Sequence, residues 1–279
     1  MFRLIIIMYF LVPIQVKAQL SFYGHRGCRG VYPENSLIGF NFASKLDIDG
    51  IELDVVVNKE KKLVISHEAF FKKRICNNKN FKGKQNNLYQ LNQNEIAQID
   101  CGCKRNNLFR KQKKVSTTKP LFSELVQKVN LNSKQILMEV KSFPSNYEKS
   151  QPLPKDFAGI VVKEIEDSKM RDQIIVMSFD AKFLNALHLK DSTIRCILLT
   201  YLPARKSNYF LKDLDFKPYG LGLFHGTLSS SLVNDIKRQE IKVFTWTVNN
   251  RRKVKKLIHF GVDAIITDYP DKFNRQLSH

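Results

Sequence analysis

Beyond its first 18 residues the sequence lacks any long hydrophobic run, which excludes a membrane-spanning helix from the rest of the chain. The one extended apolar run, residues 4–12, is well short of the roughly 20 residues that such a helix needs. It is followed by Val16 and Ala18, which fit the small-residue positions of a cleavage site. Residues 1–18 are therefore predicted to be a secretory signal peptide, with a membrane anchor or a first core strand as the alternatives.

Cysteine is scarce, and its spacing argues against a structural zinc site because no CxxC pair is present. The five cysteines are Cys28, Cys76, Cys101, Cys103 and Cys196. Export would permit a disulfide, for example between Cys76 and either Cys101 or Cys103. Because the number of cysteines is odd, at least one thiol stays free or pairs with another molecule.

Acidic residues are also few, since 26 Asp and Glu stand against 46 Lys and Arg, for a formal net charge of +20. The charge falls to +18 without residues 1–18, which contain Arg3 and Lys17 and no acid. Such an excess attracts anions, so phosphate esters, an anionic membrane surface contacted peripherally and nucleic acid are candidate partners. No zinc-finger spacing, aromatic RNA-binding signature or helix-turn-helix pattern is present, and specific nucleic-acid binding is therefore not expected. Nothing in the sequence points to a particular oligomeric state.

Short apolar, β-branched runs alternate along the chain with amphipathic stretches. The predicted strands cover residues 21–24, 50–54, 135–140, 173–178, 195–200, 221–224, 242–247 and 263–267. The predicted helices cover residues 35–46, 121–129, 159–167, 181–189, 230–239 and 250–260. This alternation predicts parallel βαβ units and, at this length, a single α/β domain over residues 19–279 with the TIM (β/α)8 barrel fold.

One further apolar run, residues 63–66, does not fit the alternation. Only about a dozen residues separate Asp54 from His67, too few for a helical crossover, so a β-hairpin is expected with its turn at residues 58–61. Residues 69–120 are rich in Lys, Asn and Gln, and we interpret them as an insertion on the catalytic face of the barrel. The alternative is a poorly packed loop without a catalytic role.

Carboxylates and imidazoles recur where the predicted strands end. In a barrel of parallel strands these ends meet at one rim, where active sites are built. Glu52, Asp54 and Glu139 offer oxygen ligands, which suit a hard divalent cation such as Mg²⁺ or Ca²⁺. Three converging carboxylates would repel one another without a cation, so a metal site is favoured over three separate structural ion pairs.

Two histidines lie at the same rim. His25 and His67 can act as general base and general acid, since imidazole titrates near neutral pH. Arg26 and Lys141 add fixed positive charge where a phosphoryl group would develop negative charge. Together with the carboxylates, these residues predict a metal-assisted acid/base site that acts on a phosphate ester.

Several short motifs follow one known pattern. They are His25-Arg26-Gly27, Pro33-Glu34-Asn35-Ser36, Gly50-Ile51-Glu52-Leu53-Asp54-Val55, Val64-Ile65-Ser66-His67, Met138-Glu139-Val140-Lys141, Ser178-Phe179-Asp180, Thr245-Trp246-Thr247-Val248-Asn249 and Thr267-Asp268-Tyr269-Pro270. In these motifs the sequence resembles the glycerophosphodiester phosphodiesterase family, which shares its barrel with phosphatidylinositol-specific phospholipases C. The resemblance extends from about Tyr23 to Pro270.

The resemblance implies the same division of roles among the rim residues. The metal ligands would be Glu52, Asp54 and Glu139, and the acid/base pair would be His25 and His67. The resemblance also implies that Arg26 and Lys141 contact the phosphate, that Glu34 and Asn35 support the site through hydrogen bonds, and that Trp246 lines the substrate pocket. For Trp246 the alternative is simple core packing, and Asp268 is expected to organise the rim.

Three positions depart from the family pattern. Glu68 stands where Asp is usual after the histidine, which would alter the hydrogen bond that orients His67. Ser36 replaces a Thr and keeps the hydroxyl. The hairpin turn lacks the usual Asp-Gly, so its conformation is expected to be less tightly specified.

The sequence therefore predicts an exported hydrolase of glycerol and lipid metabolism that needs a divalent metal, Ca or Mg. It would cleave glycerophosphodiesters, which are small-molecule substrates, to glycerol 3-phosphate and an alcohol, in the periplasm or outside the cell. Lysophospholipids or a polymeric glycerol phosphate are the alternative substrates on the same scaffold. A non-catalytic protein that binds an anionic polymer is the alternative from a different functional class.

Overall fold

Nine strands build the molecule, which is described here from a computed structural model covering residues 20–77, 86–204 and 206–273. The predicted signal peptide lies outside the described residues. The strands are β1 (Ser21–Gly24), β2 (Gly50–Val57), β3 (Leu63–Ile65), β4 (Gln135–Val140), β5 (Ile174–Ser178), β6 (Cys196–Thr200), β7 (Gly220–Phe224), β8 (Lys242–Trp246) and β9 (Ala264–Thr267). Their bounds agree with the predicted runs to within one residue at most ends, and β2 continues three residues beyond its predicted end.

All strands except β3 are parallel and close into a barrel. β1 pairs with β2 on one side, where Tyr23 is opposite Gly50, and with β9 on the other, where Ser21 is opposite Ala264. The remaining strands follow in chain order between β2 and β9. The predicted TIM (β/α)8 barrel is confirmed, and the carboxyl ends of its strands share one rim.

Helices follow most of the barrel strands. They are α1 (Leu37–Ser44), α2 (Gln93–Ile96), α3 (Phe122–Lys128), α4 (Pro154–Ser168), α5 (Ala181–Lys190), α6 (Asn208–Leu211), α7 (Ser230–Lys237) and α8 (Arg251–Phe260). The short helices α2 and α6 were not predicted, because four residues are too few to show a helical period. In the described part of the chain no helix is long and apolar enough to cross a membrane.

Two predicted helix starts were wrong for local reasons. The first helix begins two residues later than expected because Asn35 has a φ of 55° and Ser36 caps the helix, accepting a hydrogen bond from the backbone N of Gly39. The fourth helix begins five residues earlier, at Pro154, because proline fits the first turn, where its missing N–H costs nothing.

The predicted hairpin is confirmed. β3 runs antiparallel to β2, with Val57 opposite Leu63. The turn is specified without an Asp-Gly pair, because Oδ1 of Asn58 accepts hydrogen bonds from the backbone N atoms of Glu60 (3.0 Å) and Lys62 (2.9 Å). The side chain of Asn58 is fully buried, so the expectation of a loosely specified turn was wrong.

The insertion has a hydrophobic cluster of its own against the hairpin. Its members include Val56, Val64, Phe71, Ile75, Leu88, Ile96 and Ile99. A disulfide joins Cys76 to Cys101, while Cys28, Cys103 and Cys196 are free thiols. The described part of the insertion is therefore packed and cross-linked, which contradicts the alternative of a poorly packed loop.

Candidate active site

The predicted site residues meet at the carboxyl rim of the barrel, around one cavity of about 360 Å³. Its lining comprises His25, Arg26, Arg29, Glu52, His67, Glu139, Lys141, Phe143, Met177, Phe179, Leu199, Tyr201, Trp246, Thr247 and Ile266. Asp54 lies buried beside this lining, in contact with Arg26 and Lys141. Strands β1, β2 and β4 and the hairpin arm supply most of the charged groups. Glu52, Asp54 and Glu139 lie within β2 and β4, whereas His25, Lys141 and His67 lie just beyond strand ends.

Three buried carboxylates form the centre of the site. Ligand oxygens of Glu52, Asp54 and Glu139 all lie within 4.8 Å of one another. Within the described chain, Oε1 of Glu52 and Oδ1 of Asp54 are buried and accept no hydrogen bond. Unsatisfied anionic oxygens are costly to bury, whereas a hard cation satisfies several of them at once. The donor set therefore fits Mg²⁺ or Ca²⁺.

The carboxylates do not titrate alike. Burial and the neighbouring Asp54 and Glu139 raise the pKa of Glu52 well above its ordinary value. Burial alone would also raise the pKa of Asp54, but Arg26, His67 and Lys141 lower it far below the usual range. Asp54 is the anion that these cations stabilise, whereas burial and the two neighbouring acids disfavour the charged form of Glu52.

Arg26 organises the carboxylates through both its backbone and its side chain. Its φ of 49° belongs to the left-handed region, and its backbone N donates to Oε2 of Glu52 at 2.7 Å. Its Nε lies 3.1 Å from Oδ2 of Asp54. The same Asp54 oxygen accepts a hydrogen bond from Nδ2 of Asn35 at 2.8 Å. Asn35 therefore makes a hydrogen bond to the carboxylate cluster, which is the kind of support predicted for it.

Glu34 bridges two arginines. Its Oε1 accepts from Nη1 of Arg26 at 2.9 Å, and its Oε2 lies 2.8 Å from Nε of Arg29. Although burial would raise the pKa of Glu34, Arg26 and Arg29 lower it to about 2. Glu34 therefore stays anionic and holds both guanidinium groups beside the cavity. Arg29 was not predicted as a site residue, since nothing distinguishes it from other basic residues in the sequence.

Lys141 stands over the carboxylates. Its Nζ donates to Oε1 of Glu139 at 2.5 Å and lies 3.6 Å from Oδ1 of Asp54. Burial would lower the pKa of Lys141, but Glu139 and Asp54 raise it, so the ammonium stays charged. Because it also lines the cavity, Lys141 can contact an anionic substrate.

His25 is oriented by Asp268. Its Nδ1 lies 2.6 Å from Oδ1 of Asp268, and its Nε2 lies 3.9 Å from Oε2 of Glu52. A carboxylate accepts only, so Nδ1 carries the proton, and Nε2 of the neutral imidazole is the acceptor nitrogen. Burial lowers the pKa of His25, against the hydrogen bond to Asp268.

Asp268 is held in turn by Asn249. Nδ2 of Asn249 donates to Oδ2 of Asp268 at 2.6 Å, and its Oδ1 accepts from the backbone N of Asp268 at 2.9 Å. Asp268 was expected to organise the rim, and its contacts show how: it orients His25 and is itself held by Asn249. Asn249 was missed as a site residue, although it lies in a motif that the sequence displays.

His67 has a matching carboxylate partner on the hairpin arm. Its Nδ1 lies 2.5 Å from Oε1 of Glu68, which also binds Lys72. The hydrogen bond from His67 lowers the pKa of Glu68 to about 2, with Lys72 acting in the same direction against partial burial. The longer Glu side chain thus reaches the imidazole, and the departure from the family's Asp keeps the orienting bond.

The insertion reaches this arm through Lys119, another residue that the sequence did not single out. Nζ of Lys119 donates to Oγ of Ser66 at 2.8 Å, and Ser66 immediately precedes His67. Burial lowers the pKa of Lys119 to about 8, against the pull of Glu34 and Asp54. A lysine in a polar loop gives no sequence signal of burial.

Aromatic rings form another part of the cavity lining. Trp246 belongs to this side, where its ring packs edge-on against Phe179 with centroids 5.6 Å apart. Its Nε1 donates to the backbone O of Gly222 at 3.1 Å. Trp246 therefore packs against neighbouring rings and also lines the cavity, so both of its sequence-based interpretations describe part of its environment.

Comparisons with known proteins identify the relatives of this chain. The sequence matches the profile of the glycerophosphoryl diester phosphodiesterase family over residues 25–272. A glycerophosphodiester phosphodiesterase of Bacillus altitudinis is 27% identical over 253 residues, which cover 90% of this chain and 95% of that protein.

Solved structures share the fold. A putative glycerophosphoryl diester phosphodiesterase from Silicibacter pomeroyi DSS-3 superimposes with a TM-score of 0.83 at 23% identity, covering 93% of each chain. A phosphodiesterase from Oleispira antarctica in complex with the product sn-glycerol-3-phosphate superimposes with a TM-score of 0.76 at 22% identity. That match covers 93% of this chain and 96% of the other.

Proposed function

Since this chain belongs to the glycerophosphoryl diester phosphodiesterase family and is a phosphodiester hydrolase, we propose that it cleaves glycerophosphodiesters by metal-dependent acid/base catalysis between its two histidines. The observation that carries the proposal is the cluster of three buried carboxylates, two of whose oxygens accept no hydrogen bond, between two histidines that each have a carboxylate on Nδ1. The products would be glycerol 3-phosphate and an alcohol, and the Oleispira antarctica phosphodiesterase holds the first of these.

Glu52, Asp54 and Glu139 would hold the divalent cation, Mg²⁺ or Ca²⁺. When bound, such an ion polarises phosphate oxygens and reduces the electrostatic repulsion between the anionic phosphate and the nucleophile. Lys141 and Arg26 lie against the same carboxylates and would bind the remaining phosphate oxygens, which keeps the phosphorus atom close to both histidines.

The two imidazoles would transfer the protons. His25 is the more deeply buried, with 12% of its side chain exposed against 27% for His67. Nε2 of His25 would take the proton of the attacking hydroxyl as the new P–O bond forms. Attack by water gives glycerol 3-phosphate directly, whereas attack by the neighbouring glycerol hydroxyl gives a cyclic glycerol phosphate that water opens in a second step. His67, nearer the solvent, would give a proton to the departing alkoxide as the old P–O bond breaks. The carboxylates of Asp268 and Glu68 would stabilise each imidazole while it carries charge.

Export is a second part of the proposal. The predicted signal peptide supports it, and so does the disulfide between Cys76 and Cys101, since disulfides persist in oxidising compartments. We place the enzyme in the periplasm or outside the cell. The excess of basic residues would favour contact with anionic membrane surfaces there.

A hydrolysis assay tests the catalytic proposal. The purified protein would be incubated with sn-glycero-3-phosphocholine, -ethanolamine and -glycerol, with Mg²⁺, with Ca²⁺ or with excess EDTA. We expect phosphorus NMR to show conversion of the diester to glycerol phosphate with a cation and not with EDTA. Failure to cleave any diester with either ion would contradict the proposal and favour an anion-binding protein. Full activity in protein shown by elemental analysis to be metal-free would contradict the metal dependence alone.

A further inference from the structure

Residues 103–114 form a loop of the insertion that the proposed catalytic chemistry does not use, and we call it the basic loop. At its base the backbone N of Cys101 donates to the backbone O of Thr117 at 2.7 Å. The disulfide from Cys101 to Cys76 joins the same base to the rest of the insertion. The loop is therefore anchored where it leaves the insertion and where it returns.

The basic loop lies against the catalytic rim. Nε2 of Gln112 donates to the backbone O of Arg29 at 2.7 Å and to that of Tyr32 at 2.9 Å, in the segment that follows β1. The buried ring of Phe109 lies 4.9 Å from the guanidinium carbon of Arg29, and its centroid is 6.2 Å from that of Tyr269. Because Arg29 lines the cavity, the loop is fixed beside the cavity.

The charge of the basic loop is of one sign. It contains no Asp or Glu, and its six cations are exposed: Lys104, Arg105, Arg110, Lys111, Lys113 and Lys114. Several exposed cations elsewhere pair with acids, as Lys128 does with Glu124 and Lys163 with Asp167. Among the ion pairs of the described residues, none involves the six cations of the loop. The loop is a positive surface that an anionic partner would neutralise.

The tip of the basic loop is apolar. Leu108 is 64% exposed, whereas the next residue, Phe109, is buried. The buried Asn106 fixes this turn, since its Oδ1 accepts from the backbone N of Leu108 at 3.2 Å and its backbone O accepts from the backbone N of Phe109 at 3.0 Å. A leucine is thus presented to the solvent on a fixed turn with cations on both sides.

This combination of groups selects among anionic partners. A nucleic acid or another soluble polyanion would neutralise the cations, but it offers no apolar phase for a leucine. The surface of an anionic bilayer offers both, because phosphate groups lie directly above the acyl chains. The basic loop therefore fits a lipid surface better than a soluble polymer.

We propose that the basic loop docks the protein on the surface of an anionic phospholipid bilayer, with Leu108 inserted at the headgroup level and the cations on the lipid phosphates. Since the loop is fixed to the rim, docking would turn the cavity toward the lipid surface. The proposal goes beyond the proposed diesterase activity and beyond a general attraction by net charge, because it assigns the contact to one segment and to its apolar tip.

Sedimentation with vesicles tests the docking. Protein purified after export would be mixed with vesicles of phosphatidylcholine alone or of phosphatidylcholine and phosphatidylglycerol in equal parts. We expect binding to the mixed vesicles, release as the salt concentration rises, and no binding to phosphatidylcholine alone. Equal binding to both kinds of vesicle, or binding to neither, would overturn the proposal.

Charge reversal localises the contact. Arg110→Glu/Lys111→Glu should lower the partition coefficient on the mixed vesicles by about tenfold or more, because cations near an anionic surface each add to binding. The matched control is Lys45→Glu/Lys190→Glu, the same change of charge at exposed positions where α1 and α5 end. These helices run back from the rim, so their ends lie at the opposite face of the barrel.

The control should lower the partition coefficient by less than about twofold, since its charges are farther than a Debye length from a surface docked at the rim. An equal loss in the two double variants would show that only net charge matters, which would overturn the assignment to the loop. Each variant should melt at the same temperature as the parent, so that unfolding is excluded as the cause of a loss.

The apolar tip distinguishes a bilayer from a soluble polyanion. Leu108→Ser keeps every charge and should lower the partition coefficient by about three- to tenfold, because an apolar side chain no longer leaves water. Leu189→Ser is the matched control, at a leucine that is 89% exposed near the end of α5, and it should leave binding unchanged. An unchanged partition coefficient in Leu108→Ser would indicate binding to any polyanion, nucleic acid included, and would contradict docking on a bilayer.

Insertion of the tip can be measured directly, because Trp246 is the single tryptophan of the chain and lines the cavity. Leu108→Trp adds a second one, whose fluorescence should be quenched by lipids brominated on their acyl chains, whereas the fluorescence of the parent should not. Equal quenching in the two proteins would contradict insertion of residue 108.

The two proposals fail separately, since docking needs no hydrolysis. Protein that binds the mixed vesicles but cleaves no diester would refute the proposed function and leave the role of the basic loop intact. Protein that cleaves soluble glycerophosphodiesters but does not bind these vesicles would refute the docking alone.

Discussion

Asp268 lies 2.6 Å from Nδ1 of His25, although 243 positions separate the two residues in the chain. They meet because β1 and β9, the first and last barrel strands, pair with each other when the barrel closes. Each residue directly follows its strand, so closure of the barrel orients the imidazole. The His25–Asp268 pair therefore does not exist until the last strand has docked.

Asp268→Asn should lower kcat by about 10- to 100-fold, since an amide does not hold the Nδ1 proton as a carboxylate does. Steady-state kinetics on a glycerophosphodiester measures this loss. The matched control is Asp263→Asn, because Asp263 binds Val243 N and Lys237 near the opposite end of the same strand. The control should keep kcat within about twofold. A similar loss in both variants would show that strand stability, and not imidazole orientation, is affected.

Glu52→Gln should abolish most turnover and weaken Mg²⁺ or Ca²⁺ binding, because one oxygen ligand becomes an uncharged amide. Equilibrium dialysis with metal analysis measures the binding. Since burial and the neighbouring acids raise the pKa of Glu52, this change also relieves repulsion. The metal-free variant should therefore melt at the same temperature as the parent or about 2–4 °C higher.

Glu164→Gln is the control for this experiment. Glu164 is a buried acid on α4 that pairs with Lys62, and it lies outside the cavity lining. It should bind metal and turn over like the parent. Undiminished metal binding in Glu52→Gln, Asp54→Asn and Glu139→Gln alike would rule out the carboxylate cluster as the metal site.

Replacing His25 or His67 by Ala should lower kcat at least about 100-fold, the typical value of acid or base assistance. A nitrophenyl diester separates the two roles, because nitrophenolate leaves without needing a proton. His67→Ala should recover much of its rate on this substrate, whereas His25→Ala should not.

His188→Ala serves as the control for the histidine variants, since His188 stacks on Phe216 with ring centroids 4.0 Å apart. It should behave like the parent on both substrates. Equal residual rates for His25→Ala and His67→Ala on activated and unactivated diesters would exclude the division of roles.

Export should leave a mature protein that begins at or close to Gln19, because residues 1–18 show the apolar and small-residue regions of a signal peptide. Intact-mass spectrometry of protein recovered from the periplasm or the medium measures this. Recovery of a chain that still carries Met1 would contradict cleavage.

Peptide mapping of the same material should find Cys76 joined to Cys101 and Cys103 as a thiol. Removing the bond with Cys76→Ser should lower the stability of the insertion by about 3 kcal/mol, because a closed loop of this length restricts the unfolded chain. Denaturant unfolding measures the loss of stability. Cys196→Ser is the control, because Cys196 is a buried free thiol and its replacement removes a sulfur without breaking a disulfide. A Cys76–Cys103 bond in the map would show the pairing to be wrong.

The barrel and the charged part of the site could be predicted from sequence for one physical reason. Parallel strands are short, apolar and β-branched, so their positions are visible, and all their carboxyl ends must meet at one rim. Glu52 and Asp54 share a side of their strand because the side-chain period is two. The hairpin could be predicted as well, since the chain between Asp54 and His67 is too short for a crossover helix.

Only the tertiary structure decided which side chains touch across that rim. Asn249 binds Asp268, and Lys119 binds Ser66, although the partners are far apart in the sequence. Cys76 pairs with Cys101, although the spacing of the cysteines made Cys103 an equally plausible partner. The contacts among the cavity's aromatic rings are of the same kind, because Phe179, Tyr201 and Trp246 come from three separate segments of the chain. Periodicity specifies which face of a strand or helix is apolar, but it carries no information about which loop lies against which. Such contacts depend on the register and closure of the whole barrel, and so they exist only in the folded chain.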